Sequence, residues 1–230
     1  YTMMGSTARS LENLQRALSI MKKKLPEGHP DIGRILLNLG VGHLYQGDYQ
    51  LARTYLTQSL KIQERVLGLD HYLPAATINN LGMVEMGDGH FAEADRLLTQ
   101  ALRLREQIFG ETHLEVARTL MNIGELYTKQ NDLAGLPVLQ RSLEIRRSQS
   151  GENSPHVAET YNAFGDLFLA AGQIPKAKEA YEKSLSVSVP GYGRQAAIAL
   201  HELTDTPHTG LVLHSLGQLG ITITKGAEPQ

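Results

Sequence analysis

A repeat of about 42 residues runs through most of this sequence and restricts its fold more than any other feature. One series consists of glycines at steps of 42, 42 and 41, and a second consists of a small residue followed by leucine at steps of 42, 42, 41 and 42. Two independent series with one period indicate stacked structural units, each packed mainly against its neighbours. The glycines are Gly40, Gly82, Gly124 and Gly165, and the small residues are Ala17, Ser59, Ala101, Ser142 and Ser184.

Each repeat contains two segments with the apolar spacing of an amphipathic helix. In the first segment, Ile32, Leu36 and Leu39 recur at steps of four and three, which places them on one buried face. In the second segment, Leu56 and Leu60 follow the same spacing. The pattern therefore predicts a pair of helices in every repeat, here called helix A and helix B.

Turn and capping residues stand at the ends of these segments. Gly47 suits the left-handed end of a helix A, and Asp48 suits the N-cap of the helix B that follows. Ser154, which precedes a proline, has the pattern of an N-cap before a first-turn proline. Thr112 and Glu115 have the spacing of a capping box. These residues predict short connections between consecutive helices.

Small residues occur where the two helices of a pair are expected to cross. Gly40 in helix A is matched by Ala52 in helix B, and Gly82 is matched by Ala94 in the next repeat. Bulk at such a position would force the paired helices apart. We therefore expect Ala52 and Ala101 to be buried.

The third repeat departs from the pattern, because its second half is one residue shorter than that of the first repeat. Gly135 takes the place that Ala52 holds in the first repeat, and Pro137 follows two residues later. Proline lacks the amide donor and clashes with the preceding helical turn. We therefore expect this helix B to begin late, near Leu136.

Three features of these repeats resemble tetratricopeptide repeats: the small residue in helix A, Gly-x-Tyr or Gly-x-Phe at the turn, and an alanine early in helix B. The 42-residue period and segments such as ATINNLG and ALRLREQIFGETH resemble the long repeats of kinesin light chains and their relatives. The resemblance covers roughly residues 5–189. It implies an all-α fold, a right-handed superhelical solenoid of antiparallel helix pairs with about four full repeats and a half-repeat at each end.

The repeat pattern divides the chain, which we expect to be a single solenoid over residues 1–230. Pro207 and Gly217 are ten residues apart, as Pro30 and Gly40 are, so the last segment has the spacing of a fifth helix A. Half-repeats at both ends indicate a segment of a longer solenoid, or one capped by a neighbour. The expected parts are helix B of a partial repeat (5–27), four repeats (28–70, 71–112, 113–153 and 154–193), an inserted helix (194–205) and a partial fifth repeat (206–226).

Composition and missing motifs exclude several classes of function. The 22 basic and 24 acidic residues give a formal net charge of −2, without the clustered basic residues that bind nucleic acid. Cysteine is absent, and no apolar run reaches the ~18 residues of a membrane span. Neither a phosphate-binding glycine loop nor a Gly-x-Ser-x-Gly motif occurs. We expect a chain that is not an enzyme, without cofactor, nucleic-acid partner or membrane insertion.

The nine histidines do not form a convincing metal site. Three of them precede helix A at one repeat position, and a residue copied with the repeat is expected to have an architectural role. Three others lie outside the period, spaced too widely for a zinc site without further ligands. We therefore predict no bound metal. The periodic histidines are His29, His71 and His113, and the others are His201, His208 and His214.

The resemblance to tetratricopeptide repeats also implies a binding surface, a concave groove lined by the helices A. It places the groove residues six and three positions before the repeat glycine and one and four positions after it, on one helix face. The N-terminal part of this stripe is apolar, which is typical of interaction sites, and the later part is polar. The candidate partner-binding residues are Arg34, Leu37, Val41, Leu44, Asn79, Met83, Met86, Arg118, Met121, Glu125, Asn162 and Asp166.

Two asparagines of the stripe are candidates for holding an extended peptide, because an amide side chain pairs with both a backbone donor and a backbone acceptor. Kinesin light chains, which the repeats resemble, use groove asparagines in this way. We expect Asn79 and Asn162 to face solvent in the free chain. Asn38, Asn80 and Asn122 lie one position off the stripe, where a structural hydrogen bond to the neighbouring turn is the expected role and contact with a groove ligand is the alternative.

Two functions fit this pattern. The first is a non-catalytic scaffold that binds a peptide segment or partner protein in the groove, and the second is a structural subunit held permanently in a large multiprotein assembly. An adjacent segment of the same protein could also fill the groove. We expect an intracellular chain, in the cytoplasm or, because Tyr1 is not an initiator methionine, in an organelle.

Overall fold

The computed structural model describes residues 2–187 and 194–203. Within these residues the chain forms ten α-helices and one 3₁₀ turn (Leu133–Gly135), and no strand. The all-α prediction is confirmed. The helices are α1 (Thr2–Lys24), α2 (Pro30–Tyr45), α3 (Tyr49–Leu67), α4 (Tyr72–Gly87), α5 (Phe91–Phe109), α6 (Leu114–Lys129), α7 (Leu136–Ser150), α8 (Pro155–Ala170), α9 (Ile174–Ser186) and α10 (Arg194–Leu203).

The chain divides into two compact units, Tyr1–Leu126 and Tyr127–Gln230. In the first unit α2 packs against α3 and α4 against α5, and in the second α8 packs against α9. These are the A and B helices of the predicted pairs. Consecutive pairs are joined by packing of α3 on α4 in the first unit and of α7 on α8 in the second. The predicted partial fifth repeat, residues 206–226, lies outside the described residues.

The glycines of helix A lie under a large side chain of helix B. A methyl group added at Gly40 would collide with Leu56, and one added at Gly82 would collide with Leu98. Ala52 and Ala101 are fully buried, as the sequence predicted. The small residues therefore allow close crossing of the paired helices, and the leucine one turn beyond the alanine fills the crossing point.

The periodic histidines cap the helices A. The Nδ1 atoms of His29, His71 and His113 accept hydrogen bonds from the backbone N–H two residues later, at 3.2, 3.2 and 3.1 Å. Ser154 takes this role in the fourth repeat through its Oγ. The architectural role predicted for these histidines is confirmed. The predicted capping box at Thr112 is wrong, because His113 satisfies the free amides at the start of α6.

The third helix B begins where the sequence predicted. Asp132 Oδ1 accepts a hydrogen bond from Ala134 N at 2.9 Å and starts the 3₁₀ turn, and α7 follows from Leu136 with Pro137 in its first turn. Gly135 lies against Tyr127 and Leu167, so a side chain there would collide with Cβ of Tyr127. The shorter connection is therefore accommodated by a tighter turn.

The helix α10 packs on α9, at the place where the sequence predicts an inserted helix. Ala196 and Leu200 of α10 form a buried cluster with Ala177 and Tyr181 of α9. The adjacent residues Ala196 and Ala197 of α10 are fully buried, and so are two adjacent residues near the start of α6 (Val116 and Ala117) and of α8 (Val157 and Ala158). The helix α10 therefore resembles a helix A in having two adjacent, fully buried residues near its start.

Buried polar pairs join helix B of one repeat to helix A of the next. The first member stands four residues after the small residue of helix B, and the second is a fully buried threonine in the following helix. The hydrogen bonds between them measure 2.8, 2.6 and 3.0 Å. At the first boundary the same two positions are apolar, and their residues belong to one hydrophobic cluster. The polar pairs are Gln63 with Thr77, Arg105 with Thr119, and Arg146 with Thr160, and the apolar pair is Met21 with Ile35.

Candidate functional site

The stripe predicted from the sequence lies on α2, α4 and α6 in the first unit and on α8 in the second. Leu37, Val41 and Leu44 of α2 are half-buried and pack against the cluster that contains Ile78 and Leu81 of α4. Packing between neighbouring helices A thus accounts for part of their apolar character. The remaining exposed area forms an apolar surface along α2, which we call the α2 stripe (Leu37, Val41 and Leu44).

The two methionines of α4 differ in burial. Met83 is half-buried and lies on α4, the helix whose Ile78 and Leu81 belong to the cluster under the α2 stripe. Its flexible side chain can adapt to a ligand. Met86 is only 3% exposed and belongs to the core. The prediction that Met86 lines the binding surface is therefore wrong, because the helix turns its side chain into the interior at this point.

Asn79 is also buried, at 3% exposure. Its Oδ1 accepts a hydrogen bond from Nδ2 of Asn122 on α6 at 3.0 Å. The prediction that Asn79 faces solvent is wrong, because the next helix A covers it and supplies a partner. Asn122 makes a structural hydrogen bond, but the partner predicted for it, the neighbouring turn, is wrong, because Asn122 donates to a stripe residue of α4.

The charged members of the stripe in the first unit lie at its surface. Arg34 is exposed and pairs with Asp31 at 3.3 Å, and Arg118 is exposed and hydrogen-bonds Glu115. Each arginine keeps part of its donor set available beside the apolar residues. Of the two remaining α6 positions, Met121 is half-buried and Glu125 is exposed.

In the second unit the stripe residues lie on one face of α8. Asn162 is 8% exposed, so the prediction that it faces solvent is wrong, and its Oδ1 is buried without a hydrogen-bond donor among the described residues. Asp166 is half-buried, and its Oδ1 accepts a hydrogen bond from the Tyr181 hydroxyl of α9 at 2.6 Å. Burial raises the pKa of the Asp166 carboxyl, and the Tyr181 hydrogen bond opposes that change. The same burial, with the hydrogen bond to Asp166, raises the pKa of Tyr181.

A charged network that the sequence did not predict lies beside α4. Arg53 of α3 donates to both carboxylate oxygens of Glu85, at 2.6 and 3.0 Å, and also to Asp88. His90 Nδ1 lies 2.9 Å from Glu85 Oε2. The hydrogen bonds from Arg53 lower the pKa of Glu85 although the carboxylate is largely buried. The sequence feature that could have indicated this network is Glu85, an acidic residue at the repeat position that Tyr127 occupies in the third repeat.

This network has the residue types of a metal site, but its negative charge is already balanced by an arginine. Oxygen and nitrogen atoms of Glu85, Asp88 and His90 all lie within 4.8 Å of one another. The guanidinium of Arg53 already binds both carboxylates and supplies the opposite charge. The cluster is therefore explained as an ion-pair network that joins helix B of the first repeat to helix A of the second.

None of the described helices is both long and apolar enough to cross a membrane. Of the histidines outside the repeat period, His208 and His214 lie outside the described residues. The structure describes the backbone of His201 but not its side chain.

The paired helices, their capping residues and the repeated contacts between pairs define a helical-repeat protein. A family model described as tetratricopeptide repeat matches residues 1–65, 73–135 and 133–188. The chain belongs to the tetratricopeptide repeat family. Among curated proteins, none matches the chain.

Solved structures with the same fold include relatives of low sequence identity. A Podosopora anserina chain assigned as a kinesin light chain with nearly identical TPR-like repeats is 20% identical, with a TM-score of 0.66 over 81% of this chain and 89% of that chain. BtubC (BKLC) from P. vanneervenii is 18% identical, with a TM-score of 0.64 over 94% and 84%. Rap protein, solved in complex with competence and sporulation factor, is 14% identical, with a TM-score of 0.69 over 95% and 58%. At these identities the likeness concerns the fold.

Proposed function

We propose that this chain is a protein-interaction scaffold that binds a peptide segment of a partner along its helices A. The observation that supports this most directly is the α2 stripe, whose leucines and valine are only partly buried. Apolar surface of this kind, with adaptable Met83 beside it and Arg34 at one end, suits a peptide with apolar side chains. Membership of the tetratricopeptide repeat family agrees with this function, as does the Rap protein structure, which was solved in complex with competence and sporulation factor.

A display library of random peptides, selected against the 230-residue chain, tests the proposal. Peptides that bind the α2 stripe should lose at least about tenfold in affinity when Val41→Glu places a charge there, because burying that charge against apolar residues is costly. Thr57→Glu, an equal charge change at an exposed position of α3, should leave affinity unchanged. Equal affinity for the Val41→Glu chain and the wild type would place the site elsewhere.

Because Val41 is half-buried, the fold of its variant needs an independent check. Met83→Gln keeps the length and flexibility of the side chain and changes only its polarity. We expect this variant to unfold at nearly the wild-type temperature and to bind the same peptides several-fold more weakly. Thermal melts followed by circular dichroism, recorded beside each titration, separate lost binding from lost structure.

The second candidate function is that of a subunit held permanently in a larger assembly. The observation that favours it is a group of exposed apolar side chains outside the stripe, Val66, Leu69 and Tyr72, where α3 ends and α4 begins. A cavity of about 230 Å³ opens beside them, lined by residues that include Ile62 and Leu73. Purification from native cells at a fixed stoichiometry, lost when Tyr72→Ser and Val66→Ser are combined, would support this function over reversible peptide binding.

A further inference from the structure

Asp166 is a half-buried carboxylate that has no cationic partner among the described residues. Within the described part of the chain, its Oδ1 accepts a hydrogen bond from the neutral hydroxyl of Tyr181. The carboxylates of Glu85 and Glu159, by contrast, are paired with Arg53 and Arg146 at 2.6 and 2.9 Å. A carboxylate withdrawn from water without an opposite charge is destabilising, and a cation brought to it would relieve that cost.

A second unsatisfied group stands on the same face of α8. Asn162 lies four residues before Asp166, which places the two side chains one turn apart on a shared helix face. Its Oδ1 receives no hydrogen bond from any described residue although the side chain is more than nine-tenths buried. A buried acceptor without a donor is costly by itself, and it points to a donor that the described residues do not supply.

We propose that Asn162 and Asp166 form a subsite for the cationic side chain of a bound peptide, a lysine or an arginine. This inference rests on the proposed function and adds the kind of residue that the partner must carry. The free Oδ1 of Asn162 and the carboxylate of Asp166 are both acceptors and the carboxylate is an anion, so a ligand group that contacts both must donate hydrogen bonds and carry positive charge. Leu169, exposed one turn beyond Asp166, provides an apolar contact for the aliphatic part of such a side chain.

The same two groups suit other ligands less well. An acidic side chain would be repelled by Asp166. A water molecule could donate to Asn162 but would leave the carboxylate charge unbalanced. Divalent cations such as Ca²⁺ take 6–8 oxygen ligands, roughly, and one carboxylate with one amide oxygen falls well short of that number. The cationic group of a peptide side chain meets both requirements with a single contact.

The experiment uses peptides selected from the random display library on the full chain. We expect an excess of lysine or arginine at one position of the selected peptides. Asp166→Asn should weaken their binding about tenfold, because it removes one charge-assisted hydrogen bond and keeps the shape of the side chain. Replacing the basic residue of the peptide by alanine should weaken binding to the wild type equally and should have little effect on binding to Asp166→Asn.

Controls separate this subsite from general electrostatics and from a damaged fold. Glu179→Gln removes one negative charge from an exposed position of α9 and should leave peptide affinity unchanged. Asp166→Asn retains an acceptor for Tyr181, so its melting temperature is not expected to fall. An equal loss of affinity in both variants would mean that net charge alone is responsible, and the subsite would be wrong.

The remaining outcomes distinguish the subsite from the proposed function. Peptides that lose affinity for Val41→Glu but show no basic excess and bind Asp166→Asn as tightly as the wild type would overturn the subsite and leave the function standing. Selection of no peptide by the folded chain would overturn both. A basic excess that depends equally on lysine and arginine, tested by exchanging the two, would support recognition of charge by the pair of acceptors.

Discussion

At the scale of single residues, the buried arginines show how a charge is held between repeats. Arg105 is 1% exposed, and its Nη1 donates to the carbonyl oxygen of Glu115 and to Thr119 Oγ1 at 3.1 and 2.6 Å. Its Nη2 lies 3.1 Å from Glu115 Oε2. Burial, with a smaller contribution from Arg118, lowers the pKa of Arg105 to about 10. Arg105 stays charged at neutral pH because this pKa is still well above 7, although Nη2 is buried without a hydrogen bond among the described residues.

Arg105→Ala is expected to destabilise the chain by about 2–4 kcal/mol, because it creates a cavity and leaves buried acceptors without a donor. Arg105→Gln should cost less, because Gln63 occupies the equivalent position one repeat earlier and pairs with Thr77. Urea unfolding of both variants measures the difference. Equal losses would show that the charge itself, and not the hydrogen-bonding position, is what the boundary requires.

Asp166 gives the free energy of unfolding a pH dependence of defined sign. Because burial raises its pKa, the folded chain keeps a proton between the ordinary and the raised pKa that the unfolded chain has released. Its contribution to stability is therefore greatest below this window and is lost as the pH rises through it. Asp166→Asn should melt about 2–4 °C above wild type at neutral pH, with the gap closing in acid. A wild type that melts higher at neutral pH would contradict this.

At the scale of helices, the histidine caps can be tested one at a time. His71→Ala removes the acceptor for the Leu73 amide at the start of α4 and should cost about 1 kcal/mol of stability. His71→Asn restores a good N-cap acceptor and should recover most of the loss. Thermal melts compare the two variants. If alanine and asparagine behaved alike, the ring contact with Tyr72 would be the important interaction of His71.

The sequence predicted the helices well because their determinants are local. Apolar spacing, Gly47 with Asp48, and the proline after Ser154 act within a few residues of the ends that they define. The late start of α7 followed from Pro137 for the same reason. Thr112 was assigned as a cap incorrectly because an adjacent histidine competes for the same amides, and N-cap preferences alone do not rank the two.

The predicted stripe was less accurate because it depends on what the neighbouring helix covers. The position of Asn79 on its helix face followed from helical geometry, but its burial comes from Asn122 on α6, which is 43 residues away. Met86 was also misplaced, because its side chain is buried in the core. The buried Arg105 had no local signal, since an arginine on a helix B looks like a solvated residue until the threonine of the next helix is placed against it.

At the scale of the whole molecule, repeat packing predicts that damage stays local. Ala101→Leu should cost roughly 1–3 kcal/mol, because bulk at a fully buried position would force α4 and α5 apart. Since each repeat contacts mainly its neighbours, amide hydrogen exchange should accelerate in α4 and α5 and change little in α9 and α10. Hydrogen exchange read by mass spectrometry resolves these segments. Uniform acceleration along the chain would indicate a single cooperative unit.

The differing pairs at the repeat boundaries also bear on how such a gene can gain or lose segments. Recombination that excised residues 106–146 would join Arg105 to the segment after Arg146. Arg105 would then pair with Thr160, as Arg146 does now. Excision of residues 22–63 would instead set the thioether of Met21 against the hydroxyl of Thr77. The number of repeats can therefore change by recombination between the two arginine boundaries without mismatching a buried pair. A crossover at the first boundary would instead create a mismatched pair, which selection would remove.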